Sequence, residues 1–155
     1  MKITIAAVGR LRKGPESALI ADYLDRFART GRGLGFPPAQ IVEIEDRRGG
    51  GMAAEAGLLS RAIPDGAAMV ALDERGEQPT SPEFAARLAG WRDRARDLCF
   101  VIGGADGIDP ALRDRADWRI SFGRMVWPHM LVRVMLAEQL YRAATILAGG
   151  PYHRE

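Results

Sequence analysis

The chain has 155 residues, 47% hydrophobic and 27% charged, with a formal net charge of +2. That is enough for one domain with a substantial core, and too balanced for a polycation that binds any phosphate chain, so nucleic-acid contacts would need a local patch. A single cysteine, Cys99, excludes an intrachain disulfide and a four-cysteine zinc site. No apolar run reaches transmembrane length, and the start lacks a secretory pattern, so the simplest expectation is a cytoplasmic protein with no membrane contact.

The run 2–8, KITIAAV, reads as a buried strand. Gly9 ends it, and Arg10, Arg12 and Lys13 make the next loop basic. Pro15 fits the first turn of a helix that carries Leu19, Ile20, Tyr23, Leu24 and Phe27 at helical spacing to about Arg29. After a Gly/Pro loop, Ile41, Val42 and Ile44 form a second strand. Residues 52–63 return to a helical pattern. A third strand is expected over Ala68–Leu72, and a helix from Ser81 to about Ala95, with Ser81 as its cap and Pro82 in the first helical position. The fourth strand is Leu98–Ile102. A short helix from Pro110, a fifth strand around Trp118–Phe122 and a long closing helix from Pro128 to about Leu147 complete the chain. Strands alternating with helices imply an α/β fold, a mostly parallel sheet with helices on both faces, over residues 1–155 as a single domain.

Ligands in such sheets bind outside the C-terminal ends of the strands. Three of those ends carry glycine: Leu72–Gly76, Ile102–Gly107 and Ser121–Arg124. Glycine lets a backbone approach a ligand and leaves its N–H open. The common fingerprints are missing. Gly103-Gly104-Ala105-Asp106-Gly107 lacks the G-x-G-x-x-G spacing, there is no G-x-x-x-x-G-K-[ST], and no G-x-S-x-G elbow is present. The two histidines, His129 and His153, lie too far apart in sequence to suggest a metal site, and no metal is expected. Cys99, mid-strand, reads as a small buried hydrophobe.

The closing helix is apolar nearly all round. His129 and Arg133 share one stripe, and Glu138 and Arg142 another, at the i,i+4 spacing of an ion pair. A helix of this kind on the outside of a sheet calls for a second cover, which points to a twofold homodimer. The chain then ends in Tyr152-His153-Arg154-Glu155, an unusual concentration of chemistry for a terminus.

Several stretches together resemble the ribosomal RNA large-subunit methyltransferase H family of the SPOUT superfamily. They are Met1-Lys2-Ile3 with Ala7-Val8-Gly9, Leu72-Asp73 with Gly76, Ile102-Gly103-Gly104 with Gly107, and Pro128-His129 with Leu131–Val134. Most specific are Ala137–Ala143, AEQLYRA, and the terminal Pro151–Glu155, PYHRE. The resemblance runs the whole length. It implies a C-terminal trefoil knot and a homodimer. It also implies S-adenosyl-L-methionine as cofactor and methylation of N3 of a pseudouridine in the large-subunit ribosomal RNA of the assembled ribosome.

On that resemblance the cofactor-binding residues are Leu72, Gly103, Gly104 and the run Phe122, Gly123, Arg124, Met125, Val126, Trp127 and Pro128. This run is bulkier than relatives usually show, and Ala105-Asp106 stands where relatives often have Pro-Glu, so backbone contacts are the ones expected to carry over. The catalytic candidates are His153 as a base near neutral pH, Arg142 and Arg154 as stabilisers of negative charge, and Tyr152 as a stacking surface for a base. Arg10, Arg12 and Lys13, with His129 and Arg133, are the RNA-binding candidates. Two other readings stay open: a SPOUT enzyme with a different RNA nucleoside target, and a non-catalytic ribosome-binding α/β module.

Overall fold

The computed structural model describes residues 1–155. The elements run β1 (Ile3–Val8), α1 (Pro15–Arg32), β2 (Ala39–Ile44), α2 (Gly51–Ala62), β3 (Ala68–Glu77), α3 (Ser81–Asp93), β4 (Leu98–Ile102), α4 (Pro110–Arg113), β5 (Trp118–Ile120) and α5 (His129–Leu147). The strands form one five-stranded sheet in the order β2-β1-β4-β3-β5, and every pairing is parallel. The central strands β1 and β4 are buried along their whole length, as strands covered on both faces must be. The edge strands β2 and β5 keep exposed positions.

Side chains alternate across the sheet, and the two faces have separate cores. Ile3, Ile5 and Ala7 of β1 pack with Phe27 of α1, Phe84 and Leu88 of α3, and Leu136 and Leu140 of α5. Ala6 and Val8 face the other way, toward Leu59 of α2 and Leu112 of α4, in a layer that also holds Cys99. Each fully buried Leu or Phe contributes about 1.5–3 kcal/mol relative to exposure. Cys99 is wholly buried, and burial pushes its thiol up to about 11.

Three expectations change. The cap of α3 is Thr80, one residue earlier than Ser81: its hydroxyl accepts from the Glu83 N–H at 3.3 Å, and Glu83 accepts from the Thr80 N–H at 2.7 Å. The Ser81 hydroxyl instead donates to Gln139 at 2.8 Å, tying α3 to α5. Strand β3 runs on through the polar residues Asp73–Glu77, with a break in register between Leu72 and Glu77, both of which pair with Ile120. A Cβ on Gly76 would sit 2.7 Å from backbone atoms of Arg119 and Ile120, so only glycine lets β3 and β5 lie this close.

The third change concerns α5. It is not an outer helix needing a second cover along its length. It lies between α1 and α3 on one face of the sheet, and its own chain buries Arg133, Leu136, Ala137, Leu140, Ala143 and Ala144. The side left outward carries Leu131, which is exposed, and the half-buried Val134, Met135, Glu138 and Arg142. No helix is long and apolar enough to cross a membrane.

Candidate functional site

The neighbouring strands β4, β3 and β5 release their C-terminal loops side by side, and a cavity of about 310 Å³ opens among them. Small-molecule sites occupy roughly 300–1,000 Å³. Its wall is apolar at Leu72, Ile102, Ile108, Ile120, Phe122 and Val132, and charged at Asp73, Glu74, Arg75, Asp106 and Arg113. Of the residues expected to hold a cofactor, Leu72, Gly103, Gly104, Phe122, Gly123, Met125, Val126 and Trp127 line it. Arg124 and Pro128 belong to the same loop but do not face the cavity, and both are exposed.

The glycines are there for close backbone packing. A Cβ on Gly103 would lie 2.5 Å from the carbonyl carbon of Gly107 and 2.6 Å from its oxygen. The loop closes on itself through a bridge between Gly104 and Gly107, with the Gly107 N–H donating to the Gly104 carbonyl at 3.0 Å. Gly107 has φ +82, a conformation glycine adopts without strain. On the third loop, the Ser121 hydroxyl donates to the Gly123 carbonyl at 2.7 Å and accepts from the Gly123 N–H at 3.0 Å, setting the turn that leads into Met125–Trp127. Met125 and Val126 are 75% and 77% exposed, so the mouth of the cavity is an apolar rim open to solvent.

Sequence reasoning missed the polar floor. Asp73 is mostly buried; it accepts from the Arg75 N–H at 2.9 Å and pairs with Arg113 of α4 at 3.3 Å. Asp73 stood inside a loop marked by glycine, but nothing in the spacing pointed to Arg113, 40 residues away. Glu55 of α2 also escaped notice. Its carboxylate lies 3.2 Å from the position of a Cβ on Gly104, and burial first, then Asp106 and Asp46, raise its pKa from the ordinary value.

The candidate RNA-binding residues separate. Arg10, Arg12 and Lys13 are exposed and, with Gly9 and Glu45, line an open recess beyond β1. His129 lines the cavity at the strand ends, and its Nδ1 is buried without a partner. Arg133 is wholly buried and does not face solvent, so its guanidinium is not available to RNA. It donates to the carbonyls of Val8 at 3.2 Å and Gly9 at 3.0 Å, and pairs with Glu43 at 3.3 Å. Burial lowers its pKa against the opposing pull of Glu43. The same Glu43 carboxylate accepts from the Leu11 backbone N–H, so Arg133 anchors the basic loop from beneath.

The tail is a separate cluster. Glu138 Oε1 accepts from Arg142 Nε at 3.0 Å, from Arg142 Nη2 at 2.6 Å and from the Tyr152 hydroxyl at 2.9 Å. The Tyr152 ring lies 4.6 Å from that of Tyr141, with the Arg142 guanidinium 4.8 Å over it. Burial, then the Glu138 bond, push the Tyr152 phenol up to about 12. The bond to Glu138 raises the Arg142 pKa. His153 rests on Arg142 through Nδ1 at 3.2 Å, while Arg154 is exposed. None of these residues lines the cavity of the same chain. His129 stands at the cavity, and Glu138 and Arg142 lie 9 and 13 residues further along α5, roughly 14–20 Å along its axis at 1.5 Å per residue. No group of three or more His, Cys, Asp or Glu side chains is placed to hold a metal ion.

Comparison with known proteins places this architecture. A family described as "Predicted SPOUT methyltransferase" matches residues 1–153. The chain is 76% identical over 155 residues to the ribosomal RNA large subunit methyltransferase H of Paracoccus denitrificans, covering all of both chains. It is 71% identical over 155 residues to the protein of the same name from Roseobacter denitrificans, covering 99% of each. Among solved structures, a probable methylase family protein from Haemophilus influenzae aligns with a TM-score of 0.55 at 11% identity, over 99% of this chain and 70% of that one, a likeness of fold alone. The glycine-lined cavity at the ends of β3, β4 and β5 and the terminal PYHRE segment thus occur in a chain that belongs to the ribosomal RNA large-subunit methyltransferase H family of SPOUT methyltransferases.

Proposed function

We propose that this chain uses S-adenosyl-L-methionine to methylate N3 of a pseudouridine in large-subunit ribosomal RNA, acting on the assembled ribosome as a homodimer. The observation that carries the reading is the cavity among the β3, β4 and β5 loops, in the fold of a methyltransferase family. Its size suits a small cofactor, and Gly103 brings backbone to its wall where any side chain would collide. The cofactor supplies an electrophilic methyl group on a sulfonium centre. Gly103, Gly104 and the run from Phe122 to Trp127 hold and orient it, in part by backbone, and so fix the line of attack. No metal is needed for such a displacement. The knot that the family resemblance implies is part of the proposal: it would lock the Phe122–Pro128 loop against the Gly103–Gly107 loop.

The separation of tail and cavity within one chain supports the dimer. A tail held at the far end of α5 cannot cover its own cavity without leaving Glu138, so the tail over the cavity is the partner's. The exposed Met125, Val126, Trp127 and Leu131 form the apolar rim that a second copy would cover. Tyr152 then offers a stacking face to the target base, Arg154 a free guanidinium for charge on the base or a phosphate, and Arg142 holds His153 in place. Arg10, Arg12 and Lys13 meet RNA phosphates, steered there by the Arg133–Glu43 anchor.

The test is direct. Protein incubated with methyl-labelled S-adenosyl-L-methionine and ribosomes lacking the modification should label one large-subunit nucleotide, and mass mapping should place the methyl on N3 of a pseudouridine. Label on another nucleoside would favour a different SPOUT target. No label, with no cofactor binding in calorimetry, would favour a non-catalytic module.

A further inference from the structure

His153 touches α5 through one ring nitrogen. Its Nδ1 lies 3.2 Å from Arg142 Nη1. A guanidinium offers only N–H donors and keeps its charge in proteins, so Nδ1 is the acceptor in this contact. In a neutral imidazole the proton must then sit on Nε2. That Nε2 is buried and has no hydrogen-bond partner. Its nearest carboxylate, Glu155, lies at 3.8 Å, beyond hydrogen-bond reach, and is exposed. The ring therefore holds a desolvated N–H with nothing to donate to, an arrangement that costs stability unless a ligand completes it.

We propose that His153 works as a hydrogen-bond donor to the target base and not as its proton acceptor. The proposal rests on the methyltransferase reading above. Loss of the N3 proton leaves negative charge shared by N3 and the two carbonyl oxygens beside it. Nε2 is covered in the single chain, so the tail opens as it docks in the partner subunit's site; there the His153 Nε2–H donates to one of those oxygens and stabilises the anion where it forms. The N3 proton leaves to hydroxide or water. The N3 electron pair then forms the bond to the methyl carbon, the carbon–sulfur bond breaks, and its pair stays on sulfur. His153 keeps its proton throughout.

The opposite role has a structural cost. A base at Nε2 needs that nitrogen's lone pair, which puts the proton on Nδ1 and sets an N–H against an Arg142 N–H at 3.2 Å. Arg142 cannot turn away without breaking its two bonds to Glu138. The charged and titratable groups around this pair are Arg142 and Glu138 of α5, Tyr23 of α1, and Tyr152 and Glu155 of the tail. Arg142 is in this view a positioning residue that selects the tautomer.

Two readouts test this. Because the chain has two histidines, ¹⁵N-histidine NMR of the intact protein gives two rings, and H153Q identifies the one that matters. A protonated Nε2 with an acceptor Nδ1 is expected in wild type, and a mixture of tautomers in R142M. In single-turnover methyl transfer, H153Q places an amide N–H near the Nε2 position and should stay within about tenfold of wild type with an unchanged pH profile. H153N, whose amide reaches only the Nδ1 position, and H153A should lose about a hundredfold or more. A protonated Nδ1 in the spectrum, or H153Q as slow as H153A, would overturn the donor role. If wild type transfers no methyl to N3, the functional reading itself fails, and the donor's catalytic role falls with it, while the spectrum still reports the tautomer.

Discussion

Arg133 Nη2 and the carbonyl oxygen of Gly9 lie 3.0 Å apart, so the second turn of α5 is bonded to the end of the first strand. Arg133→Met would keep the bulk and leave the Val8 and Gly9 carbonyls without donors. Glu43 is partly exposed and can rehydrate, so the loss comes mainly from those carbonyls. A destabilisation of about 3 kcal/mol is expected, read as a lower urea midpoint with an unchanged slope. RNA affinity should also fall, although Arg133 touches no solvent, because Glu43, which holds the Leu11 N–H, loses the guanidinium that fixes its carboxylate.

Gly103→Ala tests the cradle. The new methyl would meet the backbone of Gly107, which cannot swing aside as a side chain can. The loop must shift, at a cost of about 1–3 kcal/mol, which corresponds to roughly five- to 150-fold weaker cofactor binding in calorimetry. Circular dichroism should remain that of wild type. Unchanged affinity would mean that the Gly103–Gly107 loop is not part of the cofactor site.

Mixing two inactive proteins tests whose tail covers whose cavity. Gly103→Val breaks the Gly103–Gly107 loop that walls the cavity, and truncation after Pro151 removes the tail. In a heterodimer with the tail acting across the interface, one intact cavity meets one intact tail. Random mixing should restore about one quarter of wild-type activity. A tail acting on its own subunit restores nothing.

Tyr152 carries a pH signature. Its phenol is raised from about 10 in an unfolded chain to about 12. The folded state therefore holds the proton more tightly. The stabilisation is fully present below about pH 10 and is lost as pH rises toward 12. Phenolate absorbance should show a tyrosine titrating near pH 12 in wild type and not in Tyr152→Phe. The pH dependence of the denaturation midpoint between 10 and 12 should flatten in the variant. Identical titrations would mean that Tyr152 is not held by Glu138.

Much of the fold follows from local pattern. The run LCFVI announces a strand buried on both sides, and the alternation of elements announces a parallel sheet with two helical layers. The strand order could not be read the same way. That β1 pairs with β4 as well as β2 depends on contacts 95 residues apart, such as Ile3 with Leu98, and no local signal records them. Strand β3 runs past Leu72 because a neighbouring strand accepts it, although Asp73–Glu77 have poor strand propensity.

The site divides in the same way. Glycine at the strand ends marked the cavity, since the backbone demand is local. Arg133 misled because its spacing from His129 put it on a polar stripe. Periodicity cannot tell a solvated arginine from one that reaches across to carbonyls at the end of another strand. The tail residues were visible as chemistry, but their distance from the cavity emerges only once α5 is laid out between α1 and α3.

That uninterrupted helix has the role of a measuring rod. Its first residue, His129, borders the cavity, and its second half carries the groups that dock the tail. In a twofold pair the reach from one subunit's tail to the other's cavity is fixed by the number of residues between them. One residue inserted after Ala137 would carry Glu138 and Arg142 forward together by about 1.5 Å and rotate both by about 100°, leaving every side chain of the docking cluster intact but aimed elsewhere. In such a pair the number of residues within α5 matters as much as the identity of the residues along it.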